Sequence, residues 1–341
     1  MRLALIGVGR IGAAHARTIR GHSEVTELLV ADADVGRAKQ IAEGLDATHV
    51  ATLEEIFDRP VDAVVIATPT STHADLVLRS IDAGVPAFCE KPVAEDLERT
   101  ADVVARVARS GVPVQVGFQR RFDAGYLAGR RAVLDGRVGR LHRLHLITAD
   151  PAPPHPSYIP TSGGIFRDCH IHDFDIARFL TGGDVVEVYA TGANRGAEFF
   201  AEADDVDTSA AILTFTDGTL ATLQGSRYNG AGYDVRAELA GTAGTYVVGL
   251  DDNAPLRSAE SDVAWPSGDP WPDFWHRFQP AYIAEIEAFL GVVAGRVDNP
   301  CTVSDALEAL YIAEAAERSR RERRPVRLDE IRLPAVAEVT R

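Results

Sequence analysis

The sequence predicts two folds in series. Residues 1–118 read as a doubly wound α/β domain with a parallel sheet, and residues 119–341 as an α+β domain with an open, mostly antiparallel sheet. Three observations predict this. In the first third, short apolar runs alternate with amphipathic stretches, the pattern of buried parallel strands covered by helices on both faces. Beyond Gly117 the strand patterns cluster and hairpin signals join them. The 341 residues also exceed one typical domain.

The first strands are the apolar runs Leu3–Ile6, Leu28–Ala31, Ala63–Ala67, Ala87–Cys89 and Val114–Val116. Between them lie helical patterns at Ile11–Arg20, Val35–Glu43, Leu53–Phe57, Ala74–Ala83 and Leu97–Arg109. Gly21, Gly44, Gly84 and Gly111 stand just past the helices, where a left-handed cap favours a residue without Cβ.

In the second part a helix over Phe122–Leu134 and a strand over Leu141–Ile147 lead to Pro151, Pro153, Pro154, Pro156 and Pro160. Prolines at that density predict an irregular, functional loop. A helix from about Ile165 to Leu180 follows, closed by Gly182 and Gly183. Strand patterns come next at Val185–Thr191, Thr208–Phe215, Leu220–Ser226, Val235–Leu239 and Tyr246–Val248. Asp217-Gly218 joins two of them as a hairpin. Helices at Ala281–Val293 and Val303–Arg318 close the pattern.

Composition narrows the function classes. At 46% apolar and 25% charged, the chain has a sizeable core and is not disordered. Lys and Arg total 35 against 50 Asp and Glu, and a net charge of −15 repels nucleic-acid backbones. The run Arg318, Arg320, Arg321, Arg323, Arg324 reads as a solvated helix end. No stretch approaches the roughly 18 apolar residues of a membrane span, and the first apolar run is too short for a signal peptide. Cys89, Cys169 and Cys301 show no CxxC spacing, so disulfide scaffolds and four-cysteine zinc sites drop out. A reducing, cytoplasmic setting is the expectation.

Gly7-Val8-Gly9-Arg10-Ile11-Gly12 follows the first strand and opens the first helix. In that context the first glycine makes the tight turn, the second admits a pyrophosphate and the third packs helix on strand. The helix N-terminus then offers unpaired N–H groups to phosphate. Asp32 lies 20 residues after Gly12, where a carboxylate accepts from the adenine ribose. It would repel a 2′-phosphate, and Arg37, a helical turn on, is expected to be solvated. NAD is the predicted cofactor.

Two further segments carry chemistry. Cys89-Glu90-Lys91-Pro92 ends the fifth strand, on the sheet edge where doubly wound folds bind ligands. A lysine there is either a surface residue or a donor to a substrate hydroxyl. Asp168 and His172 are i and i+4 of the expected helix, either a satisfied buried pair or a carboxylate-oriented general base. Asp168, His170 and His172 do not share a helical face, so no metal site is expected.

This motif set resembles the glucose-fructose oxidoreductase/inositol dehydrogenase (Gfo/Idh/MocA) family. The glycine turn, Glu90-Lys91-Pro92, and Gly163-Gly164 followed by Asp168 and His172 carry the likeness. Ala67-Thr68-Pro69 with His73, and Gly117-Phe118-Gln119-Arg120-Arg121-Phe122-Asp123, also match. The resemblance spans the chain in order and is strongest to inositol 2-dehydrogenases. It implies an NAD-binding Rossmann domain and a substrate-binding, oligomerising second domain in a homotetramer. It makes Lys91, Asp168 and His172 the catalytic trio and puts Thr68, Pro69, His73 and Glu90 at the nicotinamide side. Arg120, His155 and Tyr233 become substrate contacts, and the Lys91–Pro92 bond is expected to be cis. Cys169-His170 departs from the familiar pattern, and His170 is expected to be structural. Rival readings are another sugar dehydrogenase or ketose reductase, an NAD-using epimerase or glycosidase, and a non-catalytic dinucleotide sensor.

Overall fold

A computed structural model describes residues 1–334, which divide into two compact units. Most of the first is Met1–Gln119 together with Pro280–Leu307. Its strands are β1 (Arg2–Ile6), β2 (Glu27–Ala31), β3 (Thr48–His49), β4 (Ala63–Ile66), β5 (Ala87–Glu90) and β6 (Val114–Gly117). Its helices are α1 (Arg10–Gly21), α2 (Val35–Gly44), α3 (Leu53–Phe57), α4 (His73–Asp82) and α5 (Leu97–Ser110). The sheet runs β3-β2-β1-β4-β5-β6 and is parallel throughout. Strand order reverses between β1 and β4, which opens a crevice at their carboxyl ends. Leu3, Leu5, Val30, Val65 and Phe88 fill the core beneath it. β3, two residues long, carries too little periodicity to be legible in the sequence.

The expected single cut after residue 118 needs correction, because a later segment belongs to this unit. Ile286, Phe289 and Leu290 lie in its core. Polar groups fix the same return. Gln115 Nε2 donates to Glu285 O at 2.8 Å, Asn299 Nδ2 to Val114 O at 2.7 Å, and Val116 N to Cys301 O at 2.9 Å. An apolar helix read alone does not reveal which core it fills.

The second unit comprises Arg120–Gln279 and Glu308–Arg332. Through it run α6 (Ala124–Leu134), β7 (Leu141–Ala149), α7 (Ile165–Asp168), α8 (Ile171–Thr181), β8 (Val185–Ala193), α9 (Phe199–Glu202), β9 (Thr208–Phe215), β10 (Leu220–Ser226), β11 (Asp234–Gly241) and β12 (Thr245–Val248). Farther along come α10 (Phe274–Val293), which continues into the first unit, α11 (Val303–Glu322) and β13 (Val326–Arg327). The sheet order is β12-β11-β7-β10-β9-β8-β13. Its pairs are antiparallel except β7 and β10, which run parallel. α6 and α8 pack on one side of this sheet. Registers place Tyr189, Ile212, Thr222, His145, Glu238 and Val247 in one row across the other side. Tyr189, Ile212 and Val247 of that row are exposed, as is Leu220 on the same face of β10.

Three expectations in this unit are revised. The helix expected over 165–180 is two helices, because the N–H groups of Cys169 and His170 both point at the Ile165 carbonyl and shift the hydrogen-bond register. The proline-rich loop is not wholly irregular. It winds into a 3₁₀ turn at Pro156–Thr161, where proline at the first position gives up no needed N–H. α10 starts at Phe274, upstream of the expected Ala281, and carries Pro280 inside it.

Candidate active site

Gly7 has φ +92°, and a Cβ there would lie 2.5 Å from Ala67 O. A Cβ at Gly12 would meet Gly7 O at 2.0 Å. Both glycines are therefore demanded by the turn itself. Gly9 differs: a Cβ would meet nothing within 4 Å, so the space above it is open. Gly9 is also the N-cap of α1 and brings no side-chain cap, which leaves first-turn N–H groups for an anion. Arg10 and Ile11 follow in that first turn. A turn closed at Gly7 and Gly12 and open at Gly9 fits a dinucleotide pyrophosphate.

At the end of β2, Asp32 is held by the turn it faces. Its Oδ2 accepts from Val8 N at 2.7 Å and its Oδ1 from Asp34 N at 2.8 Å. Arg37 is exposed, as expected of a solvated side chain. Its Nη2 reaches back to 3.5 Å from Asp32 Oδ1 and 3.6 Å from Asp34 Oδ2.

On the other side of the crevice, Thr68 and Pro69 follow β4 and His73 opens α4. His73 is buried, with Nδ1 2.6 Å from Pro92 O and Nε2 2.8 Å from Thr68 O. One imidazole thus ties the β4 end to the turn after β5. The Lys91–Pro92 bond of that turn is cis. Glu90, which ends β5, is hydrogen-bonded through Oε1 to His15 Nε2 at 2.6 Å. Gly117 lies directly beneath, and a Cβ on it would come 2.9 Å from Glu90 Oε2.

The second unit carries a separate polar cluster. β7 and β10 are parallel neighbours with Ala149 opposite Ser226, so the residues just beyond them, Asp150 and Arg227, emerge side by side. Arg227 is 3% exposed. Its Nη1 donates to Asp150 Oδ2 at 3.3 Å and its Nη2 to Asp168 Oδ2 at 2.7 Å. Tyr158 OH donates to Asp168 Oδ1 at 2.8 Å. Burial raises the Asp150 carboxyl above its usual value, against the pull of Arg227. Burial also raises the Tyr158 phenol, and the Asp168 charge adds to it. Gly163 and Gly164, with φ of +80° and +86°, turn the chain into α7, whose first N–H, that of Ile165, is capped by Asp205 Oδ1 at 3.0 Å. His172 lies half-buried one residue into α8.

The remaining candidates are spread through this unit. Arg120 is 2% exposed, and its guanidinium donates to Asp173 Oδ1 and to Thr148 Oγ1 at 3.1 Å. That places it in the interior as half of an ion pair. Tyr233 is buried edge-on against Phe278. His155 is exposed and caps the 3₁₀ turn through Ser157 N. His170 is fully buried between Asp173 Oδ2 and Ser209 Oγ, 2.8 Å from each.

Residues 1–118 match the oxidoreductase family with an NAD-binding Rossmann fold, and residues 126–247 match the GFO/IDH/MocA C-terminal domain. The chain belongs to the Gfo/Idh/MocA family. It is 38% identical to an inositol 2-dehydrogenase of Rhizobium meliloti, over 96% of this chain and 98% of that protein. A myo-inositol dehydrogenase of Corynebacterium glutamicum superposes with TM-score 0.88 at 37% identity, covering 96% of this chain and 98% of its own. A scyllo-inositol dehydrogenase of Lactobacillus casei, solved with NAD(H) and scyllo-inositol, gives TM-score 0.86 at 25% identity over 96% and 99%. The cofactor of this Gfo/Idh/MocA member is NAD.

Sequence reasoning missed Asp150, Tyr158 and Arg227. No local motif marks them, because they meet only through the β7–β10 register and the turn into α7. An arginine directly after the β10 strand pattern was the available signal.

Proposed function

We propose that this chain oxidises a ring hydroxyl of an inositol to the ketone with NAD. Most support comes from the likeness to inositol 2-dehydrogenases running through both units, at 38% identity over 96% of the chain, rather than through the dinucleotide half alone. Bound NAD supplies the oxidised nicotinamide that accepts hydride from the carbinol carbon. His172 takes the hydroxyl proton on an imidazole nitrogen and passes it to solvent, which balances the reaction as ketone, NADH and one proton. Lys91 Nζ donates a hydrogen bond to the same oxygen and stabilises the charge that develops there. Asp168 stabilises the His172 imidazolium. Its carboxylate is fixed for that task by Tyr158 and Arg227. Asp32 holds the adenine ribose. Thr68, Pro69, His73 and Glu90 line the nicotinamide side, while His155 and Tyr233 contact the polyol. Arg120 acts on that surface indirectly, through Asp173.

Lys91→Ala tests the chemistry. It should leave the NADH dissociation constant nearly unchanged and lower kcat by roughly 10²–10³-fold, the usual contribution of such a donor. His172→Ala should lower kcat by roughly 10²–10⁴-fold and remove the rise of kcat/KM with pH that a general base produces. Normal turnover in either variant, with an unchanged pH profile, contradicts the assignment.

We further propose a homotetramer in a reducing cytoplasm. The uncovered sheet face with Tyr189, Ile212, Leu220 and Val247 supports self-association. Cys89, Cys169 and Cys301, all free thiols, fit the compartment.

A further inference from the structure

Beneath the Glu90–Lys91 turn lies a group of ionisable side chains that the mechanism above does not use. His15 comes from α1, Glu90 from the end of β5 and Glu285 from α10, all within the first unit. One donor or acceptor atom of each lies within 4.8 Å of the other two. His15 Nε2 and Glu90 Oε1 are 2.6 Å apart. Glu285 is completely buried, and neither of its carboxylate oxygens has a hydrogen-bond partner. The His15 ring is bounded by Phe88 and Tyr282, at centroid distances of 5.4 and 6.2 Å. Lys91 is the next residue after Glu90. Titratable neighbours among the described residues include Tyr282 on α10, Lys91 in the turn, and the buried Cys89 on β5, whose thiol burial and the Glu90 charge push up.

Two carboxylates this close, beside one imidazole and with Glu285 cut off from solvent, cannot both stay charged cheaply. Glu90 already has His15. Glu285 has no compensating group, so protonation is what removes its buried charge.

We propose that His15, Glu90 and Glu285 form a buried cluster in which Glu285 is a neutral acid at physiological pH, and that His15 and Glu285 are positioning residues for the Glu90–Lys91 turn. Burial raises the Glu285 carboxyl well above its ordinary value, and the Glu90 charge raises it further. The neutral acid fills the space under Glu90 without repelling it, and His15 fixes where its carboxylate points. The kinetic part rests on the role given to Lys91. The protonation part does not.

Infrared difference spectra of the full chain, wild type minus Glu285→Gln at neutral pH, test the proton. A protonated-carboxyl C=O band that shifts in deuterium oxide and vanishes in the variant is the expected result. Absence of the band from wild type, its persistence in Glu285→Gln, or a stoichiometric divalent metal in the purified protein overturns the proposal. For the positioning role, His15→Phe should lower kcat by about tenfold with little change in KM for the polyol, while His15→Gln, which keeps a donor, should recover most of it. Equal activity of the two variants overturns that role. Should Lys91→Ala retain full activity while the band is present, the assignment of Lys91 fails and the cluster stands.

Discussion

Asp173 shows how a single buried carboxylate organises the second unit. It accepts from Arg120, from Thr148 Oγ1 at 2.8 Å and from His170 Nδ1 at 2.8 Å, all in the interior. Burial would raise its carboxyl, but the Arg120 charge and the hydrogen bonds of His170 and Thr148 outweigh that and hold it below the ordinary aspartate value. The folded state therefore binds this proton more weakly than the unfolded chain does. Its stabilisation is complete above about pH 4 and is lost as pH falls through the folded value. Asp173→Ala should cost about 3–5 kcal/mol, since it strands the Arg120 charge. Denaturant midpoints at about pH 7 and about pH 3 should converge more in Asp173→Asn than in wild type. A second residue-scale expectation concerns Asp32. It should favour NAD over NADP by at least about tenfold in kcat/KM, about 1.4 kcal/mol. Arg37 tempers this by standing 3.5 Å from the same carboxylate, so Arg37→Ala should widen the preference. Asp32 was legible because its distance from the glycine turn is set by one strand–helix–strand unit. Arg120 read as a substrate contact, because the sequence does not show that it pairs with Asp173 and Thr148 in the interior.

At the scale of elements, the glycine turn separates folding from binding. Gly12→Ala forces a Cβ to 2.0 Å from Gly7 O and should lower the melting temperature as well as abolish NADH binding. Gly9→Ala has free space for its methyl group. It should leave the melting temperature of the cofactor-free protein within a degree or two while weakening NADH binding by on the order of tenfold, because the methyl occupies the path of the phosphates. Titration of NADH fluorescence beside thermal unfolding separates these effects. The Rossmann rhythm was legible because each buried strand is a continuous apolar run. The α7–α8 break was not, since a register shift at Cys169-His170 leaves the hydrophobic period on either side intact. That break places Asp168 at the end of α7 and His172 in the first turn of α8, on two helices rather than one.

At the scale of the whole molecule, clustered strand patterns joined by a hairpin signal at Asp217-Gly218 made the second sheet legible in advance. The return of residues 280–307 to the first unit was not, because it depends on contacts with β6 rather than on any local pattern. The exposed row on the second sheet should be buried between copies. Light scattering should give four times the 36.7 kDa chain mass, and Ile212→Asp should reduce that assembly. The reaction itself is read by initial rates of NADH formation with NAD and a panel of inositols and aldoses, myo- and scyllo-inositol among them. An inositol should be oxidised with the highest kcat/KM of the panel, and the Lys91→Ala and His172→Ala variants should lose that rate. Oxidation of an aldose with no NADH formed from any inositol would contradict the account.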